Sequence, residues 1–314
     1  VRCTRPRTVG FLPDGKTLAW SYKKHSKEYP TFQLPCGKCI SCRLERARET
    51  AVRCVHEAQM HEQNCFITLT YSDENLKSDR LDYRDFQLFI KRLRKEIYET
   101  SQQKISVLAV GEYGDKGKRP HWHAIIFNWR PADAQPSYKN DSGDQLYDSE
   151  LLTQLWGKGR ADLGSVTFKS AGYVARYAAK KLTHGKDGSH DYNPIARRST
   201  RNAIGVSWLE RYWFTDCFAN GFITLEGGVK TSIPRYYEKW LKKHKPLEWQ
   251  RYVTEVKPKI QKEAANKEAK TSEAEKLANL RRGQFKPPRV SRNEAREVIL
   301  EQKFNQLLQR NLKL

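Results

Sequence analysis

A chain of 314 residues with 58 Lys+Arg against 36 Asp+Glu carries a formal net charge of +22, and its mean hydropathy is −0.82. No stretch is long and apolar enough to cross a bilayer, and the opening "VRCTRPRTVGFLPDG" lacks the apolar centre of a signal peptide; the expectation is a soluble intracellular protein with no membrane partner. The positive excess points to a polyanion, and with aromatic residues at 11% available for stacking on bases, nucleic acid is favoured over an acidic lipid surface.

Seven cysteines are an odd number, and three stand together as Cys36, Cys39 and Cys42 in "PCGKCISCR". In an intracellular chain that spacing favours a metal or structural thiols over disulfides. With Cys3 as a distant fourth, they offer a structural Zn²⁺ set that would steady the N-terminus. The default is buried free thiols, because three thiolates at a helix entry are placed less freely than those of two separate knuckles. Cys54 and His56 are substitute ligands on the next helix. That helix is predicted from "SCRLERARETAVRCVHEAQMHEQ", where Leu44, Ala47, Ala51, Cys54, Val55 and Ala58 recur at helical spacing and Ser41 is the expected N-cap. Residues 1–63 form the first expected region.

Residues 64–240 read as a mixed α/β domain. "CFITLTY" (65–71) is β-branched and aromatic, hence a strand. "DYRDFQLFIKRLRKEI" puts Tyr83, Phe86, Phe89, Ile90, Leu93 and Ile97 on one helix face, with Asp82 as N-cap. "KISVLAVGE" (104–112) and "HWHAIIF" (121–127) are two strands joined by a Gly-rich charged turn, which predicts a hairpin. A polar loop, "PADAQPSYKNDSGDQ", is expected next, followed by a helix over 170–182 opened by Ser170 or a neighbour. Residues 241–314 carry close to half of the net positive charge. There, an Ala/Glu/Lys-rich run predicts a solvated helix or a disordered tail. "GQFKPPRV" interrupts it, and a last helix is announced by a Ser291/Glu294 capping box.

The chemistry-bearing pattern is H-x-H. Side chains alternate along a strand, so His121, His123, Ile125 and Phe127 share one face, and Trp122, Ala124 and Ile126 the other. Glu112 falls opposite the start of that strand if the hairpin forms. Two nitrogens and one oxygen with open positions suit a catalytic divalent ion better than a closed structural site. The competing reading is a pair of half-buried histidines bonded to the backbone. In "YVARYAAKK", Tyr173 and Tyr177 are four residues apart and rise from one helix face, followed by Lys180 and Lys181. Val174, Ala178 and Leu182 form an adjacent apolar stripe that would seat this helix, leaving the phenols to face a site or to pack in a core. A phenol of pKa about 10 is a weak nucleophile until a base or positive field helps it.

Together "PCGKCISCR", "FITLTY", "GEYG....RPHWHAIIF" and "SAGYVARYAAKKL", in that order between residues 35 and 182, resemble the HUH endonucleases. More narrowly, they resemble the replication initiation proteins of gokushoviruses, small phages with circular single-stranded DNA genomes. "NAIGVSWLERYW" and "IPRYYEKWLKKH" extend the likeness to about residue 244. The resemblance implies an α+β fold with a central antiparallel sheet flanked by helices, similar to an RNA-recognition fold, plus a helical C-terminal extension at 241–314. It implies rolling-circle replication in the host bacterial cytoplasm: nicking of origin DNA, covalent retention of the 5′ phosphate, and rejoining to circularise the genome. Carried over by position, His121, His123 and Glu112 match the metal ligands for Mg²⁺ or Mn²⁺. Tyr173 and Tyr177 match the nucleophiles and Lys180 the helper lysine. Lys181, Arg176, Arg119 and Lys118 are the expected contacts to single-stranded and origin DNA. No Walker-type GxxxxGK[ST] is present, so unwinding and synthesis would fall to host helicase and polymerase machinery. The alternatives are a non-catalytic, basic nucleic-acid-binding scaffold and a plasmid-type relaxase.

Overall fold

A computed structural model describes residues 3–114, 117–140, 143–180, 195–281 and 291–311, with backbone alone at 176–180, 275, 276, 278–281 and 307–311. In chain order the elements begin with β1 (Arg7–Phe11), β2 (Leu18–Ala19), β3 (Phe32–Leu34), α1 (Ile40–Gln59), β4 (Asn64–Thr70) and α2 (Tyr83–Thr100). There follow β5 (Ser106–Tyr113), β6 (Pro120–Phe127), β7 (Gln135–Lys139), β8 (Gln145–Asp148), α3 (Glu150–Trp156), β9 (Ala161–Gly164), α4 (Phe168–Lys180) and β10 (Ile195–Arg198). The chain ends with α5 (Val206–Tyr212), β11 (Ile223–Thr224), β12 (Lys230–Thr231), α6 (Arg235–His244), α7 (Pro246–Arg251), α8 (Lys257–Arg281) and α9 (Arg292–Asn311).

The described residues of Val1–Ala47 and Pro288–Leu314 form one compact unit, and those of Arg48–Pro287 a second. The three regions expected from composition therefore group differently: 48–63 and 241–287 lie in the second unit and 288–314 in the first. In the first unit, β2, β1 and β3 make a small sheet. α9 opens with the expected capping box: Glu294 N donates to Ser291 Oγ at 3.3 Å and Ser291 N to Glu294 Oε2 at 2.8 Å. Arg5 Nε donates to Glu297 Oε2 at 2.7 Å, and Phe304 is buried.

The second unit is α+β. Its centre is a seven-stranded antiparallel sheet in the order β10-β5-β6-β4-β9-β8-β7. Period-two alternation sorts the central strands into two faces. Cys65, Ile67 and Leu69 of β4 and Trp122, Ala124 and Ile126 of β6 join Phe86, Phe89, Leu93 and Ile97 of α2 and Leu152 and Trp156 of α3 in one core. The α2 stripe is the one read from its 3.6-residue period, and Asp82 caps it by accepting from Arg84 N. Each fully buried large side chain contributes roughly 1.5–3 kcal/mol, so this face supplies the rigidity on which the opposite face depends. Gly111 of β5 has no Cβ because one would stand 2.7 Å from the Trp122 ring, which lies flat across the strand. Thr68, His121 and His123 project from the other face, over which α4 packs.

A second core gathers Val52 of α1 with Trp208, Leu209, Phe218, Tyr237, Trp240, Leu241 and Tyr252. The apolar stripe expected on α1 accounts for only part of its burial. Arg53, His56 and Glu57 are buried too, because they bond to what surrounds them: Arg53 Nε to Ile204 O, His56 Nδ1 with Tyr237 OH, and Glu57 Oε2 from Gly205 N.

Three local expectations change. Ser41 is not the cap of α1 but lies buried in its first turn, since the helix begins one residue earlier, where Arg43 N donates to Cys39 O. The cap of α4 is Thr167 rather than Ser170. Ser170 N donates to Thr167 Oγ1 at 3.1 Å and Thr167 N to Ser170 Oγ at 2.8 Å, a reciprocal capping box with serine in the return position. The stretch read as a polar loop holds the β7–β8 hairpin. It escapes the alternation rule because β7 is an exposed edge strand whose five residues all face water, and its Pro136 is tolerated at an edge.

Candidate active site

The β5–β6 register sets Glu112 directly opposite His121, and the β4–β6 register sets Thr68 opposite His123. Both imidazoles turn their Nε2 atoms to the same carboxylate oxygen. Glu112 Oε1 lies 3.2 Å from His121 Nε2 and 3.1 Å from His123 Nε2. Glu112 and His123 are buried at 4% and 6% exposure, and His121 is half-buried.

The outward nitrogens are held from behind. His121 Nδ1 is 3.1 Å from the Arg119 carbonyl, which accepts its proton, and His123 Nδ1 is 3.0 Å from Thr68 Oγ1. Phe66 stacks on the His123 ring with centroids 5.7 Å apart. Such partners fix imidazole orientation behind a metal. Burial pushes the Glu112 carboxyl up, but the hydrogen bonds and charge of His121 and His123 outweigh it and hold the group below the usual carboxylate range.

The donor set fits a divalent ion. Two ligands at about 2.1 Å from one ion and at right angles stand about 3.0 Å apart, close to the two separations here. The second carboxylate oxygen, Glu112 Oε2, is buried without a hydrogen-bond partner among the described residues, as expected of an atom kept for a cation. Glu112, His121 and His123 each offer a ligand atom, all within 4.8 Å of one another.

Tyr173, on the second turn of α4, reaches the same place. Its hydroxyl is 3.4 Å from His123 Nε2, and its ring stands edge-on to both His123 and Phe66. Val174, Ala171 and Ala175 are buried and seat the helix. Val174 belongs to the stripe read from the sequence; the Ala178 side chain and Leu182 lie outside the described residues. The Tyr177, Lys180 and Arg176 side chains and the whole of Lys181 also lie outside them, with 176, 177 and 180 on the α4 backbone.

Arg119 is committed within the protein: its guanidinium donates to Asp73 Oδ1 at 2.6 Å and to Tyr71 O at 2.7 Å. Lys118 is half-buried in the β5–β6 turn with a positive φ of 49°. Cys3, Cys36, Cys39 and Cys42 gather in the first unit with their Sγ atoms within 4.8 Å of one another. Cys54 stands apart from them, buried within the helix, and His56 is engaged with Tyr237. Sequence reasoning missed Phe66 and Thr68, although alternation through "FITLTY" puts both on the histidine side. It also missed Asp162, which pairs with Thr68 across β9 and is bound by Arg160. A four-residue strand offered no periodic signal for that acid.

Residues 64–182 match the family of replication-associated proteins of the ORF2 type. The chain is 47% identical, over the whole of both chains, to the replication-associated protein VP4 of Bdellovibrio phage phiMH2K. It belongs to the replication-associated proteins of small single-stranded DNA phages. Within that family it is also 34% identical to the Chlamydia phage 1 protein ORF4, across 70% of this chain and 56% of that one, and 31% identical to the Spiroplasma virus 4 protein ORF2, across 83% and 86%. No solved structure matches it. The family match spans the site strands and α4, and so encloses Glu112, His121, His123 and Tyr173. No helix among the described residues is long and apolar enough to cross a membrane.

Proposed function

We propose that this replication protein is a metal-dependent DNA nickase and strand transferase of the HUH type, its sheet and helices forming a domain related to the RNA-recognition fold. The observation that carries the reading is the Tyr173 hydroxyl 3.4 Å from His123 Nε2, where His123 and His121 converge on Glu112. A Mg²⁺ or Mn²⁺ ion held by the two Nε2 atoms and the Glu112 carboxylate supplies Lewis-acid polarisation of the scissile phosphate and absorbs charge in the transition state.

The chain's own groups do the rest. The Tyr173 phenol loses its proton and its oxygen attacks the phosphorus at the origin. The bond to the 3′ oxygen breaks, that oxygen takes up a proton, and the 5′ phosphate remains esterified to the tyrosine. Since one phosphoester replaces another, the step is reversible and a returning 3′ hydroxyl can reseal the strand. Tyr177, one helical turn further on, is the second nucleophile that lets the protein cut again while attached, and Lys180 is the cation that stabilises phenolate and phosphorane. Arg176, Lys181 and Lys118 contribute to holding the strand. The protein works in the host cytoplasm on origin DNA with host helicase and polymerase machinery.

The test is covalent capture. Single-stranded origin oligonucleotides incubated with the protein and Mn²⁺ give a denaturant-resistant adduct, which disappears in His123→Ala and in the doubly substituted Tyr173→Phe, Tyr177→Phe protein. An adduct that survives loss of both tyrosines sinks the nucleophile assignment, and wild-type protein that binds origin DNA without any adduct is a scaffold rather than an enzyme.

A further inference from the structure

The four cysteines of the first unit take no part in that chemistry. Cys3 precedes β1, Cys36 and Cys39 lie between β3 and α1, and Cys42 is in the first turn of α1. Cys3, Cys39 and Cys42 are buried, with Cys36 packed on them, and this cluster contains no other apolar side chain. A core patch made of four thiols alone supplies little hydrophobic stabilisation, and small units commonly need a staple.

We propose that Cys3, Cys36, Cys39 and Cys42 form a closed tetrathiolate site for a structural zinc ion, which ties the N-terminal segment to the start of α1. A tetrahedral zinc with Zn–S bonds of about 2.3 Å has sulfur–sulfur edges of about 3.8 Å. Cys3 Sγ and Cys39 Sγ are 3.7 Å apart, and all four sulfurs fall within 4.8 Å of one another. A disulfide would need about 2.05 Å. The ligands of an iron–sulfur cubane bind different irons and stand farther apart than a single-ion set.

The backbone is arranged for sulfur that carries negative charge. Cys36 Sγ accepts from Lys38 N at 3.4 Å and from Cys39 N at 3.3 Å, and Cys3 Sγ accepts from Cys36 N at 3.3 Å. Gly37 takes the left-handed conformation, φ 74°, that folds Cys36 and Cys39 back on one another. Cys42 sits in the first turn of a 20-residue helix, where the positive end of the macrodipole favours thiolate. Four thiolates around Zn²⁺ leave a net charge of −2, and the buried Arg43 and the nearby Arg5 interact electrostatically with Cys39. A soft, all-sulfur, closed set suits zinc and leaves no open position for catalysis, unlike the nitrogen and oxygen set on the sheet.

The test uses the full chain without a histidine tag, purified from zinc-containing medium and passed through gel filtration before elemental analysis. One zinc per chain is expected, retained in the His121→Ala, His123→Ala double variant and reduced at least about tenfold in Cys36→Ser and Cys42→Ser. Because a cysteine variant can fail to fold, two measurements use the wild-type protein. Cobalt substitution gives thiolate-to-metal charge-transfer bands. Alkylation followed by mass spectrometry finds Cys3, Cys36, Cys39 and Cys42 protected until the metal is withdrawn by a chelator. Zinc that follows the histidines, cobalt without charge-transfer bands, or metal-free protein with disulfides among these cysteines would each overturn the site. None of these readouts depends on DNA cleavage, so the zinc site and the nickase stand or fall separately.

Discussion

Two ligand clusters in this protein solve opposite problems. Glu112, His121 and His123 are short-reach side chains fixed on adjacent strands of a sheet whose far side is packed with tryptophan, phenylalanine and leucine. Their geometry is set before any ion arrives, and one face stays open to a substrate. The four cysteines sit on turns and a helix start in a cluster with no other apolar side chain. There the ion has to supply the cohesion that side chains do not. Preorganised ligands on a rigid element serve chemistry, whereas ligands gathered from loops make metal binding part of folding.

That contrast can be broken in several ways. The largest effect is expected at the sheet site: Tyr173→Phe and His123→Ala each lower nicking by on the order of 10³-fold or more in a single-turnover assay, with circular dichroism unchanged. If the tyrosine variant cleaves normally, Tyr173 is packing and not chemistry. Next, Trp122→Ala removes a fully buried ring from behind the histidines and costs about 3–5 kcal/mol in a denaturant titration. It should weaken catalytic metal binding while leaving the cysteine-bound zinc in place, which is the sharpest test that rigidity comes from the far face.

Thr68→Val deletes the hydroxyl behind His123 at nearly constant volume. It is expected to lower Mn²⁺ affinity about 10–100-fold by calorimetry with little change in unfolding midpoint. A smaller change follows from Thr167→Ala, which removes the cap of α4 and costs about 1 kcal/mol, read as faster amide exchange in the first turn of that helix.

The smallest effect is in pH. In chelator-treated protein the Glu112 carboxyl titrates lower folded than unfolded, so its charge stabilises the fold fully above its ordinary value of 4.5 and that contribution fades as pH falls through the depressed one. Glu112→Gln should therefore lose less stability than the wild type across that window in acid unfolding curves.

Much of this was legible in the residues because it rests on short periods. The α2 stripe, the β5–β6 hairpin and the shared face of His121 and His123 follow from spacing alone, and Glu112 enters once the strands pair in register. The β7–β8 hairpin was not legible, since an edge strand wetted on both faces has no alternation to read. Nor were Arg53, His56 and Glu57, whose burial is decided by partners 148–181 positions away in the chain. Thr68 and Asp162 needed the neighbouring strand order, which composition and period do not encode.

One strand does double duty. Trp122 anchors the core between the two histidines that face the ion, so a shift of β6 by one position would bury the imidazoles and expose the indole. Insertions or deletions within this strand thus cannot erode catalysis gently; they would cost the domain its fold. Variation in length among natural relatives is therefore expected to collect in the turn between Tyr113 and Pro120, where extra residues would leave the pairing untouched.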